Sequence, residues 1–542
     1  MPVAPRNPPR QRPSARLSIR PPTLTTAPSL RSTVVRAARA STGLFLLTLI
    51  VAGIAPLAAS PPPAKAPVLP SLRVHAGGRY LETTEGRPFF WLGDTAWKLM
   101  QSTTPDECSY FLSTRARQGF TVIQTVALAE DESILKPNAL GQLAFVAQDP
   151  ARPNDAFFDR VVAVVDEAAV HGLYVALLPT WGDKLTAPWG VGPRVFRHDN
   201  LPVVRAFGRY LGQRLRGRTH LVWMLGGDRP AVLDPKRPDA WPQNQALASG
   251  FPPDQDWRPI WREMAAGIAE GTGAPPLFLY HPQGGDYSTT QMLPDDPWLA
   301  VHGFQSGHGG GRDVPVWDLV ARDARVSPNR PTLDLEPNYE DHPYNPWPKW
   351  DPASGYFRDH DVRKQCYRSV FAGACGVTYG HHSVWQFASQ RNGVINFPEM
   401  DWVQALHRPG AVQMQHLRRL IESRPSLHRL RDPSIVIDPP KAGALHPEAM
   451  RDRDATYLMV YFPTQDQVLT LDLAVIGAGP LQGWWYDPRT GFAQPIDRLT
   501  GGTRRDFRSP SHGPDWVLVL DRADRGYGPP GLRIHEDKPG RR

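Results

Sequence analysis

Between residues 75 and 430, eight short apolar runs alternate with amphipathic stretches of helical length, and this alternation leaves few folds open. The runs are residues 89–92, 121–126, 174–178, 221–225, 277–280, 299–302, 332–335 and 377–379. They are continuously apolar rather than alternating, as strands must be when both faces of a parallel sheet are covered. The helical stretches between them are clearest at 105–118, 157–171, 201–215, 257–269 and 361–374. The first opens on Thr104-Pro-Asp-Glu, a capping residue followed by proline at the first helical position and acids in the first turn. The second stops at His171-Gly172. Eight βα units in about 350 residues predict a (β/α)8 TIM barrel over residues 71–430 rather than a doubly wound sheet.

Past residue 430 the pattern changes. Runs at 434–437, 457–462, 468–473, 483–487 and 515–520 are separated by Pro, Gly and Asp turns with no helical stretch between them, which predicts a small antiparallel β-sandwich over 431–524. The aromatic cluster Trp484-Trp485-Tyr486 reads as sandwich core or as a seam against the barrel, with a sugar-stacking platform as the alternative. Residues 525–542, rich in Gly, Pro and charge, read as a disordered tail.

The formal charge of +8 is concentrated at the start of the chain, where residues 1–40 hold eight arginines and no acid. The remainder is close to neutral, so no basic face for nucleic acid is implied. An apolar run of roughly 14 residues follows from Thr42, short for a bilayer span. Ala58-Ala59-Ser60 and a Pro/Ala linker come next. Residues 1–70 therefore read as an export signal and linker, giving an exported protein, periplasmic or extracellular, with no stable membrane insertion after cleavage. An uncleaved anchor is the alternative. Of three cysteines, Cys366 and Cys375 lie nine residues apart. On one helix that is about 13 Å, too far for a disulfide.

In a parallel barrel, chemistry is carried by the residues that follow the strands. Those residues are Asp94 and Trp97 after the first run, Glu130 after the second, and Trp181 and Asp183 after the third. Asp228, His281, His302 and Gln305 follow the next three, and Glu336, Tyr339, His381, His382 and Trp385 follow the last two. Two stand out. Asp228 comes directly after Gly226-Gly227, where the apolar run 221–225 stops, and Glu336 ends the run 332–335 just before Pro337. Two carboxyl groups brought to one mouth by different strands suit cleavage of a glycosidic bond, which needs one proton donated and one developing cation stabilised. Asp228 also reads as a helix cap or an Arg229 partner, and Glu340 is a rival to Glu336. His381-His382 lacks a third ligand at convincing spacing, so no metal is expected, and no cofactor. Gly307-His-Gly-Gly-Gly-Arg312 lacks the phosphate-loop Lys-Ser/Thr and reads as a flexible lid loop.

The segments Trp91-Leu-Gly-Asp-Thr-Ala-Trp97, Trp223-Met-Leu-Gly-Gly-Asp228, Leu335-Glu-Pro-Asn-Tyr-Glu340 and Ala374-Cys-Gly-Val-Thr-Tyr-Gly-His-His-Ser-Val-Trp385 resemble the apiosidase-like glycoside hydrolases. That family is often followed by a module labelled "putative collagen-binding domain". The resemblance covers roughly residues 72 to 520 and implies Asp228 as general acid/base and Glu336 as nucleophile of a retaining mechanism. From the strand-end positions, Asp94, Trp97, Glu130, Trp181, Asp183, His281, Gln305, Tyr339, His381 and Trp385 are the candidates for holding the carbohydrate substrate. The resemblance also points to plant cell-wall glycans of the pectin type, including apiose-linked side chains. The rival expectation is a non-catalytic polysaccharide- or collagen-binding protein that keeps the barrel as a scaffold.

Overall fold

A computed structural model describes residues 68–130, 132–186, 190–233, 255–285, 287–344, 350–439 and 441–532. The leader read as an export signal lies outside the described residues, as do the last ten residues. Among the described residues, no helix is long and apolar enough to cross a membrane.

Eight parallel strands follow one another in the chain. They are β1 (Trp91–Thr95), β2 (Val122–Val126), β3 (Tyr174–Leu178), β4 (Leu221–Gly226), β5 (Phe278–His281), β6 (His302–Phe304), β7 (Thr332–Asp334) and β8 (Gly376–Tyr379). Six of them form one sheet in the order β8-β1-β2-β3-β4-β5, and β6 pairs with β7 in a second. Isolated contacts link the two sheets. A parallel bridge joins Phe278 to Leu299, and the Cys375 N–H donates to the Thr332 carbonyl at 3.0 Å. Helices α1 (Pro105–Arg117), α2 (Asp155–Val170), α3 (Leu201–Arg214), α4 (Arg258–Thr272), α5 (Val316–Asp323), α6 (Asp359–Phe371) and α7 (Pro409–Glu422) connect or follow the strands, giving a mixed α/β fold. The α1 start is a full capping box: the Glu107 N–H donates to Thr104 Oγ1 at 3.3 Å and the Thr104 N–H to Glu107 Oε2 at 2.8 Å.

The strands are buried on both faces because alternate side chains enter two different cores. Trp91, Val122, Val126, Ala176, Val222, Met224, Leu279 and Leu333 pack together on the face away from the helices. Leu92, Ile123, Val175, Leu177, Trp223, Leu225 and Phe278 pack against the helices. Register matters for this reason. The first run was expected at 89–92, but Pro88–Phe89 belongs to a short antiparallel sheet with Leu72–Val74 and Leu81–Thr83, and β1 starts at Trp91. Asp94 is therefore inside β1, on its helix-facing side, rather than beyond it.

The C-terminal strands are β9 (Arg429–Arg431), β10 (Glu448–Asp452), β11 (Tyr457–Phe462), β12 (Val468–Asp472), β13 (Pro480–Tyr486), β14 (Ala493–Thr500), β15 (Arg504–Arg508) and β16 (Trp516–Arg522). They form an antiparallel six-stranded sheet in the order β9-β10-β11-β16-β13-β14 and a β12-β15 pair. The run at 434–437 is not a strand; Pro433–Ile435 is a 3-10 turn, since Asp432 accepts the Ser434 N–H and proline opens the turn. Along β11 and β16 the period of two again serves two cores. Leu458, Val460, Phe462, Leu518 and Leu520 meet Leu469, Leu471 and Phe507 of the small sheet. Tyr457, Met459, Tyr461, Val517 and Val519 join the helix-side core of the α/β domain. The aromatic cluster divides accordingly, Trp485 into the sandwich-side core and Tyr486 into the seam, so the platform reading does not hold.

The seam is also ionic. Arg363 of α6 and Asp515 are fully buried and make two hydrogen bonds, at 2.9 and 2.6 Å, and Tyr461 donates to the same carboxylate at 2.9 Å. Residues 525–532, expected in a disordered tail, are instead held: Arg424 donates to the Gly528 carbonyl at 2.9 Å and its guanidinium lies 5.0 Å from the Tyr527 ring centre. Asp515→Ala leaves the Arg363 charge buried without its main partner and should cost about 3–5 kcal/mol. Chemical denaturation should show that loss in a single transition common to both domains; separate transitions would break the link drawn here between seam and stability.

Candidate active site

Strand β4 ends in three consecutive residues with positive φ: Gly226 at +90°, Gly227 at +98° and Asp228 at +50°. The glycines are required by space as well as by φ, because a Cβ on Gly226 would collide with the His281 carbonyl and one on Gly227 would stand 2.9 Å from the Trp181 ring. Asp is among the few side chains that tolerate this region. The turn points the Asp228 N–H at His281 Nδ1, 3.1 Å away. An accepting Nδ1 means that the neutral ring carries its proton on Nε2.

That Nε2 stands 3.1 Å from Glu336 Oε2, but off the line of a hydrogen bond, so Oε2 has no hydrogen-bond partner among the described residues. Glu336 Oε1 is held by His308 Nε2 at 3.2 Å, and the Glu336 carbonyl accepts the Gly307 N–H at 2.9 Å. The Asp228 backbone and the Glu336 carboxylate thus meet the two nitrogens of one imidazole. Arg229, fully buried, bonds Glu130 Oε1 at 2.8 Å and lies 3.3 Å from Asp228 Oδ2.

These surroundings separate the two carboxyl groups. Burial pushes Asp228 up to about 7; Arg229 opposes the shift, while Glu336 and Glu130 add to it. Burial also acts to raise Glu336, but His281 and His308 outweigh it and hold the group at about 2. One group keeps its proton near neutrality and its neighbour does not.

Both carboxyl groups line a cavity of about 610 Å³. Trp97, Glu130, Trp181, Gln305, Tyr339 and Trp385 line it too, as expected. Trp97 donates to Tyr339 Oη at 2.9 Å, and its ring lies 5.1 Å from that of Trp181 and 5.2 Å from His281. Three of the residues that line it, Trp181, Gln283 and Gln305, each carry a buried polar atom (Nε1, Oε1 and Oε1) without a hydrogen-bond partner among the described residues.

Four expected residues do not line the cavity: His281 is fully buried beside Glu336, and the other three are engaged elsewhere. Asp94 faces α1, where Arg115 Nε donates to it at 2.7 Å, both side chains being fully buried. Asp183 sits in a 3-10 turn against Lys184 Nζ at 2.7 Å and accepts the Gly192 N–H at 2.9 Å, so it pins a loop. His381 caps the turn after β8, accepting the Ser383 N–H, with its Nε2 3.1 Å from Asp341. The rival Glu340 is turned away as well, accepting from the Tyr379 hydroxyl at 2.6 Å and the Gly410 N–H at 3.1 Å. His302 is inside β6, 3.1 Å from Thr289 Oγ1.

Sequence reasoning missed His308, His342, Gln283, Trp350 and Asn396, all lining the cavity from loops. His308 stacks on His342 with ring centres 4.3 Å apart, and His342 meets Trp350 at 4.7 Å. Only the placement of His308 just after β6 could have flagged it. Among the described residues, no group of three or more His, Cys, Asp or Glu side chains is placed to hold a metal ion.

Comparison with known proteins agrees with this architecture. The family model described as "Apiosidase-like, catalytic domain" matches residues 75–428, and one described as "Putative collagen-binding domain of a collagenase" matches 431–521. The chain belongs to the apiosidase-like family of glycoside hydrolases. A solved structure titled "Glycoside hydrolase" is similar to it at 28% identity and TM-score 0.71, covering 85% of this chain and 98% of that one. A glycoside hydrolase family 5 structure from Bacteroides vulgatus is similar at 26% identity and TM-score 0.72, covering 84% and 94%. Comparison with curated proteins finds no match.

Asp94→Ala separates structure from chemistry at this site. It leaves Arg115 buried and uncompensated, so stability to denaturant should fall by about 3–5 kcal/mol. The KM of the folded variant should stay at the parent value, and a KM raised tenfold or more would return Asp94 to the substrate.

Proposed function

We propose that the chain is an exported, retaining glycoside hydrolase whose eight parallel strands act as a closed (β/α)8 barrel. In this reading Asp228 is the general acid/base and Glu336 the nucleophile. The observation that carries it is the opposed pKa directions of two carboxyl groups that line one cavity, with His281 touching the Asp228 backbone on one side and the Glu336 carboxylate on the other.

The proposed steps are these. A sugar ring lies against Trp97 and Trp181, with hydroxyl groups on Gln283, Gln305 and the Trp181 N–H. Asp228 gives its proton to the glycosidic oxygen as that oxygen leaves, and a Glu336 Oε2 lone pair forms a bond to the anomeric carbon. Asp228, now ionised, takes a proton from water. The water oxygen attacks the anomeric carbon, Glu336 leaves as carboxylate, and both groups return to their starting states with the anomeric configuration retained. His281 and His308 stabilise the Glu336 carboxylate at both ends of this cycle.

Plant cell-wall glycans of the pectin type, with apiose-linked side chains among them, are the proposed substrates; the support is family membership and the sequence motifs. Export is supported by the leader's composition alone, and N-terminal sequencing of the secreted protein should begin near Ser60.

The test is hydrolysis of a panel of such glycans by the parent and by two variants. Asp228→Ala and Glu336→Ala should each lose more than about a thousand-fold in kcat, since each group supplies several kcal/mol of the barrier. On an aryl glycoside whose leaving group needs no proton, Asp228→Ala should recover most of its kcat/KM, which reports the first half-reaction only, and Glu336→Ala should not. NMR of the fresh product should show the substrate's own anomeric configuration; inversion would exclude Glu336 as nucleophile.

The pH dependence has a definite sign. Asp228 acts in its protonated form, so kcat/KM should be flat between about pH 4 and pH 6 and fall about tenfold per unit above its pKa of about 7. A rate that climbs through neutrality would assign Asp228 the opposite protonation state.

A further inference from the structure

Beyond the cavity wall, the loop that follows β8 holds a feature the mechanism does not use. Asn396 and Phe397 are consecutive non-glycine residues in the left-handed region, with φ of +56° and +62°. Asn tolerates that conformation; for Phe it is an outlier, and such residues cost about 1–3 kcal/mol unless their surroundings impose them.

The surroundings do impose them, residue by residue. Gln386 Oε1 accepts the Ile395 N–H at 2.7 Å, and its Nε2 donates to the Ile395 carbonyl at 3.1 Å. His382 Nε2 donates to the Asn396 carbonyl at 2.7 Å, and the Tyr356 hydroxyl to the Phe397 carbonyl at 3.2 Å. All three successive carbonyls are thus tied by side chains. His382 is itself fixed, since its Nδ1 accepts the Trp385 Nε1–H at 3.3 Å, and Trp385 lines the cavity.

The main chain is held while the side chains stay open. Ile395 and Asn396 line the cavity. No described residue hydrogen-bonds the Asn396 carboxamide, and Phe397 is 55% exposed. A fold that only needed to turn here would place glycine at both positions, at no cost in φ. Strain sustained to hold an amide at the cavity, with an exposed aromatic ring on the next residue just outside its lining, matches what a carbohydrate unit binds: a hydroxyl for the amide and an apolar ring face for the aromatic.

We infer that Asn396 and Phe397 form an outer subsite that binds a sugar unit of the glycan beyond the bond that is cleaved. This rests on the reading of the cavity as a glycosidase site. The subsite favours oligosaccharides over single-sugar glycosides, and the four ties to the loop backbone keep it formed before substrate arrives.

Glycine substitutions test this without breaking the turn, because glycine accepts both φ values. KM is measured for Asn396→Gly and Phe397→Gly on a cell-wall oligosaccharide and on a single-sugar aryl glycoside, and binding of the oligosaccharide is measured in a Glu336→Gln background. Each variant should melt as the parent does and raise KM on the oligosaccharide about five- to tenfold, the loss of one neutral hydrogen bond or one stacking contact. The loss on the oligosaccharide should exceed that on the aryl glycoside by at least about threefold. Equal losses on both would place these residues at the cleaved sugar and overturn the outer subsite. Unchanged oligosaccharide KM and binding in both variants would overturn it too, while leaving the proposed function intact if the parent cleaves. A parent that neither cleaves nor binds any glycan would overturn both.

Discussion

Keeping a proton on Asp228 while keeping one off Glu336 is the constraint on which the rest of the site depends. Burial acts to raise both carboxyl groups. What breaks the tie is the distribution of donors: Glu336 has His281 and His308 beside it, whereas Asp228 faces Arg229, whose charge is shared with Glu130. The strand ends serve this arrangement. The three-residue left-handed stop after β4 lets the Asp228 backbone engage His281 Nδ1, which fixes the tautomer that turns an N–H toward Glu336.

The paired acids were legible in the sequence because the punctuation around them is strong. Gly226-Gly227 and Pro337 mark where two strands must stop, and a carboxyl group at such a stop reaches the mouth. Asp94 was misread because β1 runs on to Thr95, past the end of the apolar run, and Asp94, two residues from Leu92, shares its helix-facing side. Asp183 and His381 follow their strands as expected but spend their polar atoms on local backbone, a choice that short polar side chains make from turn geometry not visible in a residue pattern. His342 and Gln283 come from loops whose path is set by packing with distant segments, so nothing in their own neighbourhood announces them, and His308 is announced only by its place after β6.

The fold itself was legible at the level of periodicity. Eight continuous apolar runs correctly indicated strands covered on both sides, and the change of pattern near residue 430 located the antiparallel sheets. What periodicity cannot convey is that β11 and β16 are apolar on both faces for two different reasons, one face closing the small domain's own core and the other the seam. Continuous apolarity was the signal for parallel strands in one domain and for a docked sheet in the other.

The seam has a consequence for reach. Many polymer-degrading enzymes carry an accessory domain on a flexible tether, which lets the catalytic part sweep an area around a fixed anchor. Here Arg363, Asp515 and Tyr461 lock the second domain onto α6, and their shared aromatic core leaves no slack between the two. Anything held by the exposed face of that domain would sit at a constant distance and angle from the cleft. The pair would address one point on a polymer at a time, and would have to let go as a whole to reach the next.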